Sequence, residues 1–453
     1  MTSVPTTIAF YLPQFHPIPE NNGWYGEGFT EWHNVANAKP LFPGHYQPRL
    51  PQDLGYYDLR VPEVRAQQAR IARTYGIDAF CYYHYWFEGH RPFRRVMDEI
   101  LESGTPAMPF CLAWANENWS KHWDASNHEV LLKQSYSLDD DIRHGEFLLR
   151  AMQHPLYLRV GGRPVLFIYR IQALPDPTGT LGRWRDMWAR EGLGDVEIIK
   201  FETHGDHQPP TNYGADSSAQ FLPHGTHDLV RHIHVPGAHP DNVIFHYDDV
   251  VDAYLALDPP DWRRYECVLP GWDNTARRGD GKSTVIHAST PERYGEWLEK
   301  VRERTVGDGL ILINAWNEWA EGAHLEPDAR FGRAYLEATA RALGVDTGAP
   351  ERRSLTSSEV GADGQKSDVP DRYVELYSDA LDVQTRLQRR LSRLEASFER
   401  QLEFTRRESR LEVDQLRREA AVLVREIDRL RAQLARQPQS PELAAARSGT
   451  STT

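Results

Sequence analysis

Cysteine is scarce in this chain of 453 residues, and no apolar run in it approaches the length of a membrane helix. The three cysteines, Cys81, Cys111 and Cys267, are far apart, and each lies inside an apolar run. This spacing argues against disulfides and against a zinc site, and it predicts buried reduced thiols. A membrane helix needs about 20 consecutive apolar residues, so we expect no membrane span.

Positive charge is also in deficit. Lys and Arg number 52 against 65 Asp and Glu, which gives a formal net charge of -13. Because Lys and Arg drive phosphate binding, this balance argues against nucleic acid and anionic membranes as partners. The first seven residues have no basic stretch and lead directly into an apolar run, so we expect no secretory signal and a cytoplasmic location.

Several catalytic motifs are missing as well. No Gly-x-Ser-x-Gly follows a strand, and residues 278–284 resemble the end of a phosphate loop but have Ala276 where its first glycine belongs. The histidines between His224 and His246 have no Cys, Asp or Glu at a zinc spacing, so we interpret them as scattered loop residues. We therefore expect neither a metal nor a cofactor.

What the chain does contain is a regular alternation of apolar runs and helical patterns over residues 1–343. The predicted strands lie at residues 7–13, 77–86, 109–115, 164–169, 196–201, 219–222, 267–272 and from 311 onward. Helical patterns occupy residues 62–75, 91–103, 139–152, 181–191, 247–257, 291–304 and 331–343. Eight such units predict a (β/α)8 TIM-like barrel. The rival, a doubly wound open sheet, needs a glycine-rich turn where residues 13–16 read PQFH.

The composition changes after residue 343. Residues 344–370 are rich in Gly, Ser, Asp and Pro and are typical of a linker. Residues 371–436 place apolar side chains at heptad-like spacing, with stutters near Leu391 and Val413, which predicts an α-helical coiled coil and a homo-oligomer. One amphipathic helix lying on the barrel is the alternative. Residues 437–453 are predicted to be a disordered tail.

The candidate chemistry lies after the eighth predicted strand, where Glu318 and Glu321 follow an apolar run and stand among tryptophans. In barrels of parallel strands, the loops at the carboxyl ends of the strands carry the active site. Two carboxyls close together repel and desolvate each other, so one retains a proton near neutral pH while the other is ionised. We therefore predict an acid and base pair; the alternative is a surface turn with solvated glutamates.

Aromatic and amide side chains accumulate at the same ends of other predicted strands. Flat rings with a polar edge suit the apolar faces of sugars, although ordinary core packing accounts for many of them. The residues that we predict to bind substrate are Gln14, His16, Trp32, His84, Tyr85, Trp86, Trp114, Asn116, Glu117, Trp119, Asn274, Trp316 and Asn317.

A family resemblance covers most of residues 7–343. It is carried by YLPQFH at residues 11–16, GFTEWHNV at 28–35, PLFPGHYQPRLP at 40–51, YHYWF at 83–87 and NENW at 116–119. Together these motifs resemble the WbsX-type family, which is associated with synthesis of bacterial surface polysaccharide (O-antigen) and often labelled glycosyltransferase. The final motif, NEWAEG at 317–322, is similar to that of family 99 glycoside hydrolases, retaining endo-α-mannosidases with a (β/α)8 fold.

The family 99 resemblance implies roles for both glutamates. Glu318 would take the proton of the sugar 2-hydroxyl, which forms a 1,2-anhydro sugar, and Glu321 would protonate the leaving oxygen and later activate the acceptor. The resemblance thus implies cleavage or transfer of glycosidic bonds in a polysaccharide or its precursor. Two alternatives stay open, a sugar-nucleotide-dependent glycosyltransferase and a noncatalytic glycan-binding scaffold.

Overall fold

Eight short strands form a closed parallel barrel in the computed structural model, which describes residues 5–121 and 129–347 together with Arg429. Apart from residues 344–347 and Arg429, the predicted linker, coiled coil and tail lie outside these described residues. In chain order the barrel strands are Thr6–Tyr11, Ala79–His84, Phe110–Trp114, Arg163–Ile168, Glu197–Glu202, Ser217–Gln220, Arg264–Val268 and Leu310–Ile313.

Each barrel strand pairs with its neighbours in parallel register, and the eighth strand closes the ring against the first. The pair Ile8 and Leu312 belongs to this closing register. Phenylalanine rings fill the barrel interior, with 5.4 Å between the centroids of Phe10 and Phe201 and 5.0 Å between those of Phe167 and Phe201. The predicted barrel fold is therefore confirmed. The interior of the barrel is apolar and tightly packed.

Helices alternate with the strands and cover the outside of the barrel. The longer ones are Pro62–Thr74, Arg94–Ser103, Leu138–Met152, Pro177–Arg190, Tyr247–Leu255, Pro291–Arg304 and Ala334–Leu343. Capping side chains start four of them: Ser137, Asp176, His246 and Thr290 each accept a hydrogen bond from a backbone N–H in the first turn. All seven predicted helical segments are present, with shifted ends.

The loops contain structure that the sequence patterns did not predict. The long segment after the first strand holds the helices Pro19–Tyr25 and Glu31–Asn37. The predicted seventh strand, residues 267–272, is wrong in its bounds, since the barrel strand ends at Val268 and Trp272–Asp273 pairs antiparallel with Thr284–His287. The reason is Pro270, which cannot donate to a strand ladder and separates the two apolar pieces.

Further short elements complete the loops. They are the strands Trp119–Lys121, Glu129–Leu132, Arg159–Val160, Val243–His246, Asn317–Glu318 and Ala323–His324, the helices Thr226–Leu229 and Thr275–Arg278, and the 3-10 turns Ile171–Ala173, Pro210–Tyr213 and Trp319–Glu321. The three cysteines are free and buried. Within the described ranges, no helix is both long enough and apolar enough to cross a membrane.

Candidate active site

A cavity of about 720 Å³ opens at the carboxyl ends of the barrel strands. This size suits a small ligand. Both predicted catalytic residues, Glu318 and Glu321, lie on its wall. The loops after the strands supply the rest, so the cavity occupies the position where barrel enzymes bind their substrates.

The segment that carries the two glutamates is fixed on both sides. The Asn317 side chain accepts a hydrogen bond from Leu12 N at 2.7 Å and donates one to Leu12 O at 3.0 Å. A short antiparallel hairpin then returns the chain, with Glu318 opposite Ala323. Gly322 turns this hairpin at φ 62°, and a Cβ there would lie 3.0 Å from the Cβ of Asp273. Only glycine fits this turn without strain.

One arginine contacts both glutamates. Arg277 Nη1 donates to Glu321 Oε1 at 2.6 Å, while its Nη2 lies 3.5 Å from Glu318 Oε2 and 3.5 Å from Glu31 Oε2. We call Glu31, Glu318, Glu321 and Arg277 the carboxylate wall. Three acids around one guanidinium leave an excess of negative charge, and their contact with the same side chain keeps them close together.

The excess of acid favours retention of a proton. Burial and the charge of Glu321 together raise the pKa of Glu318 to about 8, against the opposing effect of Arg277. Burial also raises the pKa of Glu321, against the opposing effect of Arg277. Because Glu321 has the shorter contact with the guanidinium, this geometry favours the proton on Glu318.

A further buried acid lies behind the carboxylate wall. Glu326 accepts hydrogen bonds from Trp319 Nε1 at 2.6 Å, Gln68 Nε2 at 2.7 Å and Tyr57 O–H at 2.9 Å. Burial raises its pKa to about 7 in spite of these donors. The Tyr57 hydroxyl in turn accepts a hydrogen bond from Asn317. Glu326 is therefore linked through Tyr57 to the segment that carries Glu318 and Glu321.

Five of the predicted substrate-binding residues line the cavity: Gln14, Tyr85, Glu117, Trp119 and Asn274. Gln14 donates to Tyr85 O–H at 2.7 Å, and the ring of Tyr85 packs edge-on against Trp119 with 5.0 Å between centroids. These side chains therefore present a mixed wall of rings and hydrogen-bonding groups next to the acids.

The other predicted binding residues do not line this cavity, and their role in substrate binding stays a prediction. They are His16, Trp32, His84, Trp86, Trp114, Asn116, Trp316 and Asn317. Each is buried and has a packing role instead: Trp86 Nε1 donates to the Asp140 carboxylate, His84 contacts His144 at 3.0 Å, and Trp32 Nε1 donates to Tyr57 O. The sequence did not reveal the direction in which each ring points.

The cavity also contains residues that the sequence analysis did not select as site residues. Arg277, Glu31, Tyr169, His204 and His224 all line it. A signal existed for most of them, because Tyr169, His204 and His224 lie within four residues of the ends of the fourth, fifth and sixth strands. Arg277 and Glu31 lie in short loop helices that no periodicity predicted. Among the described residues, no His, Cys, Asp or Glu group is arranged to hold a metal ion.

The described residues form a closed parallel barrel whose carboxyl-end cavity holds paired acids, and these features define the class of (β/α)8 barrel proteins. The chain belongs to the family described as Glycosyltransferase WbsX, whose model matches residues 7–339.

Two curated relatives and several solved structures are similar to the chain. The uncharacterized protein WxcX is 43% identical over 347 residues in Xanthomonas campestris pv. campestris strain B100 and 44% identical over 351 residues in strain ATCC 33913. Each match covers 75% of this chain and 49% of the relative, so the chain spans about half the length of these relatives.

The similar solved structures match at low identity. A glycoside hydrolase-like protein aligns at 15% identity and TM-score 0.49, covering 76% of this chain and 95% of the other. The GH99 endo-alpha-mannosidase from Bacteroides thetaiotaomicron, in complex with bis-tris-propane, aligns at 16% identity and TM-score 0.45, covering 76% and 98%. The barrel assignment itself rests on the strand register described above.

Proposed function

We propose that the protein cleaves or transfers glycosidic bonds of a bacterial surface polysaccharide or its precursor. The observation that carries this proposal is the pair of buried glutamates sharing Arg277 inside the barrel cavity. Acid and base catalysis at a glycosidic bond needs two carboxyls, one protonated and one ionised. The surface polysaccharide as substrate rests on the resemblance to the WbsX-type family.

The proposed reaction retains configuration through a 1,2-anhydro sugar, as the similarity of the final motif to family 99 implies. Glu318 removes the proton of the 2-hydroxyl, and the resulting oxygen attacks the anomeric carbon. The bond from that carbon to the bridging oxygen breaks, and Glu321 gives its proton to the leaving oxygen. Glu321 then takes a proton from water or a sugar hydroxyl, which opens the three-membered ring, and Glu318 returns its proton to the 2-oxygen.

Substrate binding has to redistribute one proton before this reaction starts. The geometry of the carboxylate wall favours the proton on Glu318, because Glu321 has the shorter contact with Arg277. The reaction needs the opposite arrangement, with Glu318 ionised and Glu321 protonated. Both carboxyls contact the same guanidinium, so a saccharide that moves Arg277 away from Glu321 raises the pKa of Glu321 and favours the reactive arrangement.

The test is incubation of the protein with the lipid-linked oligosaccharide of its own host, followed by mass spectrometry of the products. Shortened oligosaccharides indicate cleavage, and lengthened or rearranged ones indicate transfer. Unchanged oligosaccharide, with the wild-type protein folded, contradicts the proposal. If the wild-type protein binds the glycan tightly but does not turn it over, and if E318Q and E321Q bind it equally tightly, the noncatalytic scaffold is favoured instead.

The family description favours a second candidate, a glycosyltransferase that uses a sugar nucleotide. Its donor would bring a diphosphate into a cavity where Glu31, Glu318 and Glu321 surround Arg277. Like charges oppose this binding unless a cation accompanies the donor. Calorimetry with nucleotide sugars and manganese distinguishes the two candidates, because binding of a sugar nucleotide favours the glycosyltransferase and its absence favours the retaining reaction.

A further inference from the structure

The cavity has a second polar wall, on the side formed by the third to sixth strands. It consists of Glu117, Tyr169, His204 and His224, which we call the histidine wall, and each member lines the cavity. Glu117 Oε1 lies 3.2 Å from His204 Nε2, and the Tyr169 hydroxyl lies 2.9 Å from His224 Nε2. The two imidazole rings are 4.9 Å apart between centroids. These four side chains therefore form one connected polar surface.

Buried contacts behind the histidine wall fix its acid. Arg170 Nη1 donates to Glu117 Oε1 at 3.0 Å. The Asn116 side chain accepts from Arg170 N and donates to Arg170 O, both at 2.8 Å, so the arginine backbone has no freedom to move. Asn116 is thus a positioning residue for this wall, although it does not line the cavity itself.

The backbone at His204 is held in a conformation that side chains rarely adopt. Its φ is 54°, in the left-handed region. Behind it, the fully buried Lys200 Nζ donates to Asp206 Oδ2 at 2.9 Å, and Asp206 N donates to Thr203 O at 3.0 Å, which closes the turn. Strained residues that the surrounding structure holds in place concentrate at ligand sites. The fold thus displays the His204 ring into the cavity.

The charges of the histidine wall indicate the chemical class of its ligand. The carboxylate of Glu117 is already paired with Arg170, so this surface has no free positive charge for a phosphate or a carboxylate. His204 and Glu117 remain about one-third exposed, at 36% and 35% of their side-chain surface, so their polar atoms are accessible from the cavity. Alternating donors and acceptors of this kind match hydroxyl groups, which both donate and accept.

The histidine wall lies close to the carboxylate wall. Burial raises the pKa of Tyr169, and the charges of Glu117, Glu321 and Glu318 raise it further, which places this tyrosine within electrostatic range of both walls. Trp24 and Trp119 line the same cavity with 6.0 Å between their ring centroids, and such rings pack against the apolar face of a sugar.

We propose that the histidine wall is a second sugar-binding subsite, which binds the hydroxyl groups of the ring next to the one held at Glu318 and Glu321. This inference rests on the proposed function, because it takes the ligand of the carboxylate wall to be a saccharide. His204 and Glu117 then determine which neighbouring sugar is accepted, and a single ring bound at the carboxylate wall does not contact them.

The test compares single sugars with disaccharides in the E321Q background, where turnover is blocked. Glucose, mannose, galactose and N-acetylglucosamine, with their 1,2-, 1,3- and 1,4-linked homodisaccharides, are titrated by calorimetry. His204→Asn keeps a residue that tolerates the left-handed region, and Glu117→Gln keeps the shape of the side chain. We expect both changes to weaken the best disaccharide about tenfold, while the matching single sugar binds as before.

The exposed His232→Asn is the matched control and is expected to change neither affinity. Circular dichroism and thermal unfolding check that each variant is folded. Equal weakening of the single sugar and the disaccharide, or no weakening of either, overturns the second subsite and leaves the proposed function standing. Failure of every saccharide in the panel to bind the parent protein overturns the proposed function, and the subsite with it.

Discussion

The two walls of the cavity differ in how their charges are balanced. In the carboxylate wall, Glu31, Glu318 and Glu321 surround a single guanidinium, that of Arg277. In the histidine wall, Glu117 has a guanidinium of its own, so acid and base are paired one to one. Both walls face the same cavity, and they differ in how their acids and bases are paired.

Under the proposed function, this difference favours chemistry at the carboxylate wall and sugar recognition at the histidine wall. An unbalanced set of buried acids lowers its energy by retaining a proton, and a retained proton near neutral pH is what acid catalysis requires. A carboxylate paired one to one with a guanidinium, as Glu117 is with Arg170, has no such tendency to retain a proton. The pKa of Glu117 is lowered, because its bonds with His204 and Arg170 outweigh the opposing effect of burial, so this residue stays ionised and accepts hydrogen bonds.

The largest expected effect comes from removing an acid of the carboxylate wall. Glu321→Gln or Glu318→Gln should reduce turnover by about 10²–10⁴-fold, because each glutamine can neither give nor take a proton. Product formation from the lipid-linked oligosaccharide measures this loss. The exposed Glu27→Gln is the matched control and should retain full activity. Near-normal turnover in both acid variants contradicts the catalytic assignment.

Removing the guanidinium of Arg277 should increase the excess of negative charge in the carboxylate wall. Since Arg277 lowers the pKa of both Glu318 and Glu321, Arg277→Gln should raise both pKa values and move the activity profile by about one pH unit towards higher pH. Arg277→Lys should restore part of the shift, because it returns the charge without the forked geometry.

The exposed Arg263→Gln should leave the pH profile of activity unchanged, so it serves as the control for Arg277. An unshifted profile in Arg277→Gln, with the variant folded, would falsify the electrostatic role of this arginine.

The retained protons should also make folding stability depend on pH. The pKa of Glu318 is about 8 and that of Glu326 about 7, both above the usual 4.5. Between the usual pKa of a glutamate and these raised values, the folded state binds more protons than the unfolded state. The free energy of unfolding therefore falls as the pH rises through this range. The total fall from about pH 5 to about pH 9 should be on the order of a few kcal/mol.

Denaturant titrations across this range measure the pH dependence. Glu318→Gln should reduce the fall, Glu326→Gln should reduce it by a similar amount, and Glu117→Gln should not reduce it. If the free energy of unfolding falls with pH equally steeply in all three variants, the proposed difference between the walls is contradicted.

The smallest effect concerns the strain at His204. His204→Gly should be more stable than His204→Ala by about 1 kcal/mol, because only glycine adopts a φ of 54° without steric cost. Urea unfolding of the two variants gives the difference. Asp249, exposed in the helix Tyr247–Leu255, is the control position, where alanine should be the more stable by a similar amount. Equal stabilities at position 204 contradict the strain.

The sequence predicted the barrel and only part of each wall: Glu318 and Glu321 in the carboxylate wall, and Glu117 in the histidine wall. Apolar runs gave all eight strands, and the acids directly after the last run gave Glu318 and Glu321. The sequence did not distinguish the tryptophans that line the cavity from those that do not, because a ring near a strand end packs inward or outward with the same local pattern, as Trp114 and Trp119 show. Arg277 was not predicted because its role depends on residues more than 40 positions away.

The hydrogen bonds between Asn317 and Leu12 join residues 305 positions apart in the chain. They lie where the last strand meets the first, one residue before Glu318. A growing polypeptide therefore cannot complete the carboxylate wall until its last strand docks against the first. The same docking closes the barrel and brings Glu318 and Glu321 to the cavity. Under the proposed function, we therefore expect partly folded forms that lack this strand to be inactive towards saccharides.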